Sequence, residues 1–122
     1  MPILSADRRW ATLAALARRI AVEVGDDIVE TNVDIVTRKP GRANFATAAD
    51  HAAEKKIIER LAAHDRTVPV LAEESVKRSL RSAERLWVVD PIDGTLNFSR
   101  GLPFYCVVIA YVEDGRTRAA AV

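Results

Sequence analysis

The segment with the clearest chemical potential is DPIDGT, residues 90–95, which follows a continuous apolar run over residues 86–89. Such a run is typical of a buried strand, so the segment stands at a strand's carboxyl end. Asp90 and Asp93, on a turn that Pro91 stiffens, can converge on one hard cation such as Mg²⁺, which prefers oxygen ligands. The sequence therefore predicts a divalent-cation site; the alternative is a simple Asp-rich turn.

Two neighbouring features would extend this site. Gly94 lets the backbone approach an anion closely, and a helix beginning near Thr95 would offer free N–H groups to a phosphate. Glu73 and Glu74 follow the apolar run at residues 68–71, and a nearby cation would relieve the repulsion between adjacent carboxylates. Glu73 can thus share the metal, although a solvated loop or the acidic first turn of a helix also explains this pair.

Polar residues at positions 39–50 are explained more simply by local structure. Asp50 fits the N-cap of a helix better than a metal ligand. Lys39 stands beside Pro40 and Gly41, as an exposed turn lysine would.

The elements that must position these residues follow from hydrophobic periodicity. Apolar residues at spacings of three and four predict amphipathic helices over residues 6–30 and 51–64. Alternating or continuous apolar runs predict strands. The predicted strands are 33–37 with 45–49 as its hairpin partner, 68–71, 86–89, 104–112 and 116–122. The dipeptide Asp114-Gly115 predicts a tight turn between the last two. This order of elements indicates an α+β fold.

Composition bounds the class of protein. The chain has 122 residues, of which 49% are hydrophobic and 29% charged, and its formal net charge is +1. That balance suits one soluble domain and gives no reason to expect a nucleic acid polymer or a membrane as partner. Cys106 is the single cysteine, so an intrachain disulfide is excluded, and we interpret it as a core residue. The sequence has no apolar run of membrane-spanning length, and we expect a cytoplasmic protein.

The motifs together resemble a known family. Residues 87–98 (WVVDPIDGTLNF) and 101–104 (GLPF) closely resemble the signature of the inositol monophosphatase family. Residues 72–75 (AEES) are similar to its Gly-Glu-Glu-Ser segment, and residues 45–50 (FATAAD) to its Phe-Val-Thr-x-x-Asp segment, which a lysine loop at Lys39 precedes. Order and spacing agree along the whole chain. The resemblance implies N-terminal helices packed on a mainly antiparallel sheet, part of the layered sugar-phosphatase fold.

The resemblance also implies the activity and its metals. Members of this family are lithium-sensitive, Mg²⁺-dependent phosphatases of small phosphomonoesters: inositol monophosphate or related sugar, polyol or nucleotide phosphates. Glu73, Asp90 and the carbonyl of Ile92 would hold a first Mg²⁺. Asp90 would bridge to a second metal, whose site Asp93 would complete.

Substrate and water have implied positions as well. Gly94 and Thr95 would bind the phosphate through their amides, and Asp93 would lie against the substrate. Glu73 and Thr95 would be catalytic, because they would position and activate the attacking water. Hydrolysis would then be direct, without a phosphoenzyme.

Two departures from the family pattern qualify the resemblance. Asn44 stands where the family usually has an aspartate of a weaker metal site, so Asn44, Lys39 and Thr47 are additional candidate site residues. Family members are also about twice this length. We therefore expect residues 1–122 to be the N-terminal metal- and phosphate-binding domain of a truncated protein, with a small phosphorylated substrate as partner and a homodimer as one open assembly.

Other functional classes are weighed against this hypothesis. Haloacid-dehalogenase phosphatases also place Asp-Gly-Thr after a strand, but their nucleophilic aspartate would fall at Pro91, which cannot attack. The remaining alternative is a catalytically incomplete fragment that only binds metal and phosphate, or that self-associates through an exposed sheet edge.

Overall fold

The computed structural model describes residues 2–37, 42–72 and 83–122, with side chains over residues 7–31, 48–72 and 83–122. Its helices are α1 (Pro2–Thr37), α2 (Arg42–His64) and the short α3 (Thr95–Ser99), and its strands are β1 (Val70–Ala72), β2 (Arg85–Asp93), β3 (Cys106–Glu113) and β4 (Arg116–Ala121). In these parts of the chain, no helix combines the length and the apolarity needed to span a membrane.

The four strands form one sheet in the order β1-β2-β3-β4. β1 is parallel to β2, whereas the β2–β3 and β3–β4 pairs are antiparallel. Asp114 and Gly115 join the last two strands with φ values of 52° and 71°, as a two-residue type I′ turn requires. The predicted α+β fold, its mainly antiparallel sheet and this hairpin are therefore confirmed.

The two long helices pack on the same face of the sheet, here called the helix face. They and the sheet share one apolar cluster, which excludes water from the side chains that the periodicity predicted to be buried. Members of the cluster include Leu13, Ala17, Ile20, Val24 and Ile28 from α1, Ala53, Ile57 and Leu61 from α2, and Trp87, Val89, Ile109 and Tyr111 from the sheet. This packing fixes the helix face as the interior of the described structure.

Burial along β3 distinguishes the two faces of the sheet. Val107, Ile109 and Tyr111 are buried, and the side chains between them are only half-buried. Because side chains alternate across a strand, the half-buried set lies on the opposite face, here called the second face. Cys106 and Val108 belong to the second face, which becomes important for the candidate site.

Ion pairs connect α1 to α2 along their exposed edges. Glu23 accepts a hydrogen bond from Arg60 at 2.6 Å, and Lys56 contacts both Glu23, at 3.2 Å, and Asp27. These partners lower the pKa of Glu23 and raise that of Lys56. Exposed pairs of this kind contribute little to stability one by one, so the apolar cluster holds the helices together.

Three local predictions are wrong. Residues 33–37, predicted as a strand, continue α1, and residues 45–49, predicted as its hairpin partner, belong to α2. Asp50 is inside α2 rather than at its N-cap, because that helix begins at Arg42. The physical reason is that five alternating residues are too few to distinguish a helical from a strand period, while the alanines of residues 43–49 favour a helix.

Candidate metal and phosphate site

The site begins where the regular pairing of β2 with β3 breaks down. Asp90 is paired with Val108, and the next paired residues are Asp93 and Cys106. Two residues of β2, 91–92, thus oppose a single residue of β3, which defines a β-bulge. The irregularity falls at a proline because proline has no N–H to donate to the ladder.

The bulge decides on which face the two aspartates lie. In a regular strand, residues three apart point to opposite faces. Here the partners of Asp90 and Asp93 are Val108 and Cys106, which are two residues apart and share the second face. The one-residue excess in β2 therefore brings both carboxylates to the second face, away from the helices. Consistent with this, the Cys106 thiol donates to Asp93 Oδ2 across 3.9 Å.

The Cys106 thiol reports on the electrostatics of this face. Its pKa is raised above the ordinary value, first by burial and then by the negative charges of Asp93 and Asp90 and the hydrogen bond to Asp93. Both carboxylates thus act on one thiol, as their shared face requires. The raised pKa favours the protonated thiol, so Cys106 lacks the lowered pKa of an activated nucleophile.

The turn after β2 requires a glycine at position 94. Gly94 adopts a left-handed conformation, with φ 95° and ψ 39°, and α3 begins at the next residue, Thr95. A Cβ placed on Gly94 would lie 2.7 Å from the carbonyl oxygen of Phe104. Both the backbone angle and this close approach therefore require glycine here. The close neighbour is the protein's own chain, and contact of Gly94 with a phosphate stays a prediction.

Thr95 links the turn back to the bulge. Its side chain is exposed, and its hydroxyl donates to the carbonyl oxygen of Ile92 at 3.3 Å. The Ile92 side chain is buried in the core, with 1% exposure. Ile92 thus anchors the bulge in the apolar cluster, while its carbonyl belongs to the polar turn.

The donors around the bulge fit a hard divalent cation. Asp90 and Asp93 offer carboxylate oxygens on one face, and the Ile92 carbonyl has a second lone pair beside the one that Thr95 uses. Oxygen donors are those that Mg²⁺ prefers, with waters filling the remaining positions. Within the described ranges no group of three acidic, histidine or cysteine side chains is arranged to hold a metal ion. A third carboxylate would have to come from elsewhere.

Glu73, the predicted third carboxylate, lies outside the described residues. β1 ends at Ala72, whose register partner in β2 is Val89, immediately before Asp90. The convergence of Glu73 with Asp90 and Asp93 stays a prediction.

The additional candidates have a similar status. Lys39 also lies outside the described residues. Asn44 and Thr47 belong to the first turns of α2, where the structure describes the backbone alone.

Sequence reasoning missed two residues that contact the site. Cys106 was interpreted as a core residue, yet it is half-buried and touches Asp93. Asn97 was noted only as part of the motif, yet its side-chain amide donates to the Phe104 carbonyl at 2.9 Å. Pro91, two residues after the predicted strand 86–89, was the available sign of the bulge that brings Asp93 beside Cys106.

Comparison with known proteins identifies the class to which this fold and site belong. The family model described as "Inositol monophosphatase family" matches residues 5–122. The chain belongs to the inositol monophosphatase family, which is a family of phosphatases.

Individual relatives agree with this assignment. The chain is 36% identical over 90 residues to the fructose-1,6-bisphosphatase/inositol-1-monophosphatase of Thermotoga maritima, covering 74% of this chain and 34% of that protein. It is 35% identical over 111 residues to the Nus factor SuhB of Salmonella typhimurium, covering 91% of this chain and 42% of that one. The solved inositol monophosphatase of Anabaena (Nostoc) sp. PCC 7120 superimposes with a TM-score of 0.68 at 30% identity, covering 88% of this chain and 37% of that one.

These matches also give the extent of the likeness. The chain spans 34% to 42% of the length of the curated relatives just described. The matched segment thus makes up less than half of each of these relatives.

Proposed function

We propose that this chain supplies the metal- and phosphate-binding half of a Mg²⁺-dependent phosphomonoesterase that hydrolyses small phosphorylated polyols, sugars or nucleotides. The observation that carries the proposal is the β-bulge, which brings Asp90 and Asp93 to one face beside the Gly94 turn. Oxygen donors for a hard cation, next to a glycine turn, are what metal-assisted phosphoryl transfer needs. Family membership supports the same reaction class.

Each residue of the site would have a definite role in the reaction. Asp90, Asp93 and the Ile92 carbonyl would hold Mg²⁺, which, when bound, neutralises charge on the phosphoryl group and lowers the pKa of water. Thr95 donates its hydroxyl hydrogen to the Ile92 carbonyl oxygen, so its own oxygen would be left to accept a hydrogen bond from the attacking water. Gly94 and Thr95 would bind phosphate oxygens through their amides. Glu73 would join the metal ligands and, together with Thr95, would position and activate the attacking water.

The metal-binding step is tested by calorimetric titration of the chain with Mg²⁺. Asp90→Asn and Asp93→Asn should each weaken binding at least about tenfold, because hard cations favour carboxylate over amide oxygen. Asp114→Asn is the matched control, since Asp114 is an exposed aspartate in the β3–β4 turn and asparagine also tolerates its positive φ. Equal effects of all three substitutions would refute a site at the bulge.

Catalysis by the 122-residue chain is expected to be poor or absent. The relatives extend well beyond the matched segment, and misplacing catalytic groups alone costs on the order of a hundredfold in rate. The assay is phosphate release from inositol monophosphate with millimolar Mg²⁺, with and without Li⁺. A turnover near 1 s⁻¹ that Asp90→Asn abolishes would show that these 122 residues suffice for catalysis.

The alternative is a chain that binds Mg²⁺ and phosphate without turnover, or that self-associates through the edge of the sheet. Binding without hydrolysis would support the first form, and a concentration-dependent increase in size on gel filtration the second. The partner in this function is a small phosphorylated substrate rather than a nucleic acid polymer or a membrane. It places the protein in the cytoplasm, where a lone cysteine stays reduced; a homodimer is a further prediction that the same gel filtration tests.

A further inference from the structure

The loop over residues 100–105, between α3 and β3, packs against the Gly94 turn. Asn97 contacts this loop twice. Its side-chain amide donates to the Phe104 carbonyl at 2.9 Å, and its own carbonyl accepts from the Leu102 N–H at 2.9 Å. The buried Phe98 ring adds an edge-to-face contact with Tyr105, with ring centroids 5.2 Å apart.

The carbonyl that Asn97 holds is the one against which Gly94 packs. Phe104 O is the nearest atom to the Cβ position of Gly94, at 2.7 Å, and the backbone of Tyr105 follows at 3.3 Å. Because the Phe104 oxygen is this close, rotation of the peptide between Phe104 and Tyr105 would either press that oxygen against Gly94 or open a gap beside it. The orientation of the Phe104 peptide therefore sets how closely the turn sits on the start of β3.

We infer that Asn97 is a positioning residue for the phosphate-binding turn. Asn97 holds the Phe104 carbonyl against Gly94. This contact limits how the turn can rotate and so fixes the direction in which the Gly94 and Thr95 N–H groups point. This inference rests on the proposed function for the identity of the ligand, because those amides are the proposed phosphate contacts. Asn97 itself would touch neither metal nor phosphate.

A set of three variants tests the inference. Asn97→Ala removes the donor, and Asn97→Asp keeps the shape of the side chain but presents an oxygen to the Phe104 carbonyl in place of an N–H. Ser99→Ala is the control, because the Ser99 hydroxyl donates to Leu96 O at 2.8 Å within the same helix without reaching the loop. The control removes a hydrogen bond of similar length while leaving the contact with Phe104 intact.

The first readout is binding of inorganic phosphate in the presence of Mg²⁺, measured calorimetrically. Loss of one neutral hydrogen bond's contribution to the turn should weaken phosphate binding about fivefold in both Asn97 variants. Mg²⁺ binding without phosphate should change less than about twofold in Asn97→Ala, because the metal donors are untouched and no charge is added. Ser99→Ala should leave both affinities as in the unmodified chain. Unchanged phosphate binding in the Asn97 variants, or an equal loss in Ser99→Ala, would overturn the inference.

The second readout needs no ligand, and so separates this inference from the proposed function. Amide hydrogen exchange at Gly94 and Thr95 should speed up about fivefold in the Asn97 variants and stay unchanged in Ser99→Ala. If the unmodified chain binds neither Mg²⁺ nor phosphate, the proposed function fails, while the exchange rates still decide whether Asn97 holds the turn. Equal exchange rates in all variants would refute the positioning role.

Discussion

Substituting Gly94 by alanine should destabilise the chain more than any other glycine-to-alanine change for which the structure gives a Cβ environment. Two costs add at this position. A φ of 95° is unfavourable for a residue with a Cβ, by about 1–2 kcal/mol, and the new methyl group would meet the Phe104 carbonyl oxygen at 2.7 Å. Relieving such a contact by moving backbone costs about 1–3 kcal/mol. The expected total is about 2–5 kcal/mol.

Gly115 supplies the matched comparison. It also has a positive φ, 71°, but nothing lies within 4 Å of its Cβ position. Gly115→Ala should therefore show only the conformational cost of about 1–2 kcal/mol. The difference between the two variants isolates the close approach of the Phe104 carbonyl.

Urea unfolding followed by circular dichroism measures both changes. With a slope of about 2 kcal/mol/M, which is ordinary for a small protein, the midpoint should fall by about 1–2.5 M for Gly94→Ala and by less than about 1 M for Gly115→Ala. The slope itself should stay constant. Equal midpoints for the two variants would mean that Phe104 does not lie against Gly94, and the basis for assigning Asn97 its role would fail with it.

Three further predictions concern other parts of the chain. Gly25→Ala should stabilise the chain by about 0.5–1 kcal/mol, because nothing lies within 4 Å of the Cβ position and alanine restricts the unfolded chain. The melting temperature should rise by about 2–5 °C. A lower melting temperature would contradict this prediction. Burial, together with the hydrogen bond to Glu113 and its charge, raises the pKa of Tyr111 above its ordinary value of 10.0. As pH rises, Tyr111 therefore ionises in the unfolded chain before it does so in the folded one, so its contribution to stability is complete below about pH 10 and is lost above it. Tyr111→Phe should reduce the fall of the urea midpoint at alkaline pH. An unchanged fall would exclude Tyr111 as its source. Asn44→Asp should tighten Mg²⁺ binding by calorimetry because it adds a carboxylate, and no change would mean that Asn44 does not face the site.

Sequence reasoning located the elements whose patterns are long or chemically distinctive. The apolar run before Asp90 lies within β2, Asp114-Gly115 forms the hairpin turn, and a helix begins at Thr95, where the phosphate-binding hypothesis requires one. Each of these signals has a local cause, such as positive φ at a turn or burial on both faces of a strand.

The errors fall where a local signal was ambiguous. Residues 33–37 alternate as a strand does, but Val29, Val33 and Val36 also have the spacing of a helix, and α1 continues through them. The arrangement of the site was beyond local reasoning for a different reason. Whether Asp90 and Asp93 share a face depends on the number of residues in β3 that pair with them, which only the folded register fixes.

The bulge makes the geometry of the metal donors depend on a strand that contributes none of them. Three steps along β2, from Asp90 to Asp93, are matched by two steps along β3, from Val108 to Cys106. One residue inserted into β3 between that pair would let the strands align one to one, and Asp93 would then turn inward to the apolar helix face. One residue deleted between the aspartates would instead keep both on their present face. Whether both carboxylates lie on the same face thus depends on the difference between the numbers of residues in β2 and β3 across this bulge. The number of residues in β3 therefore constrains the site more tightly than the chemistry of any side chain that β3 carries.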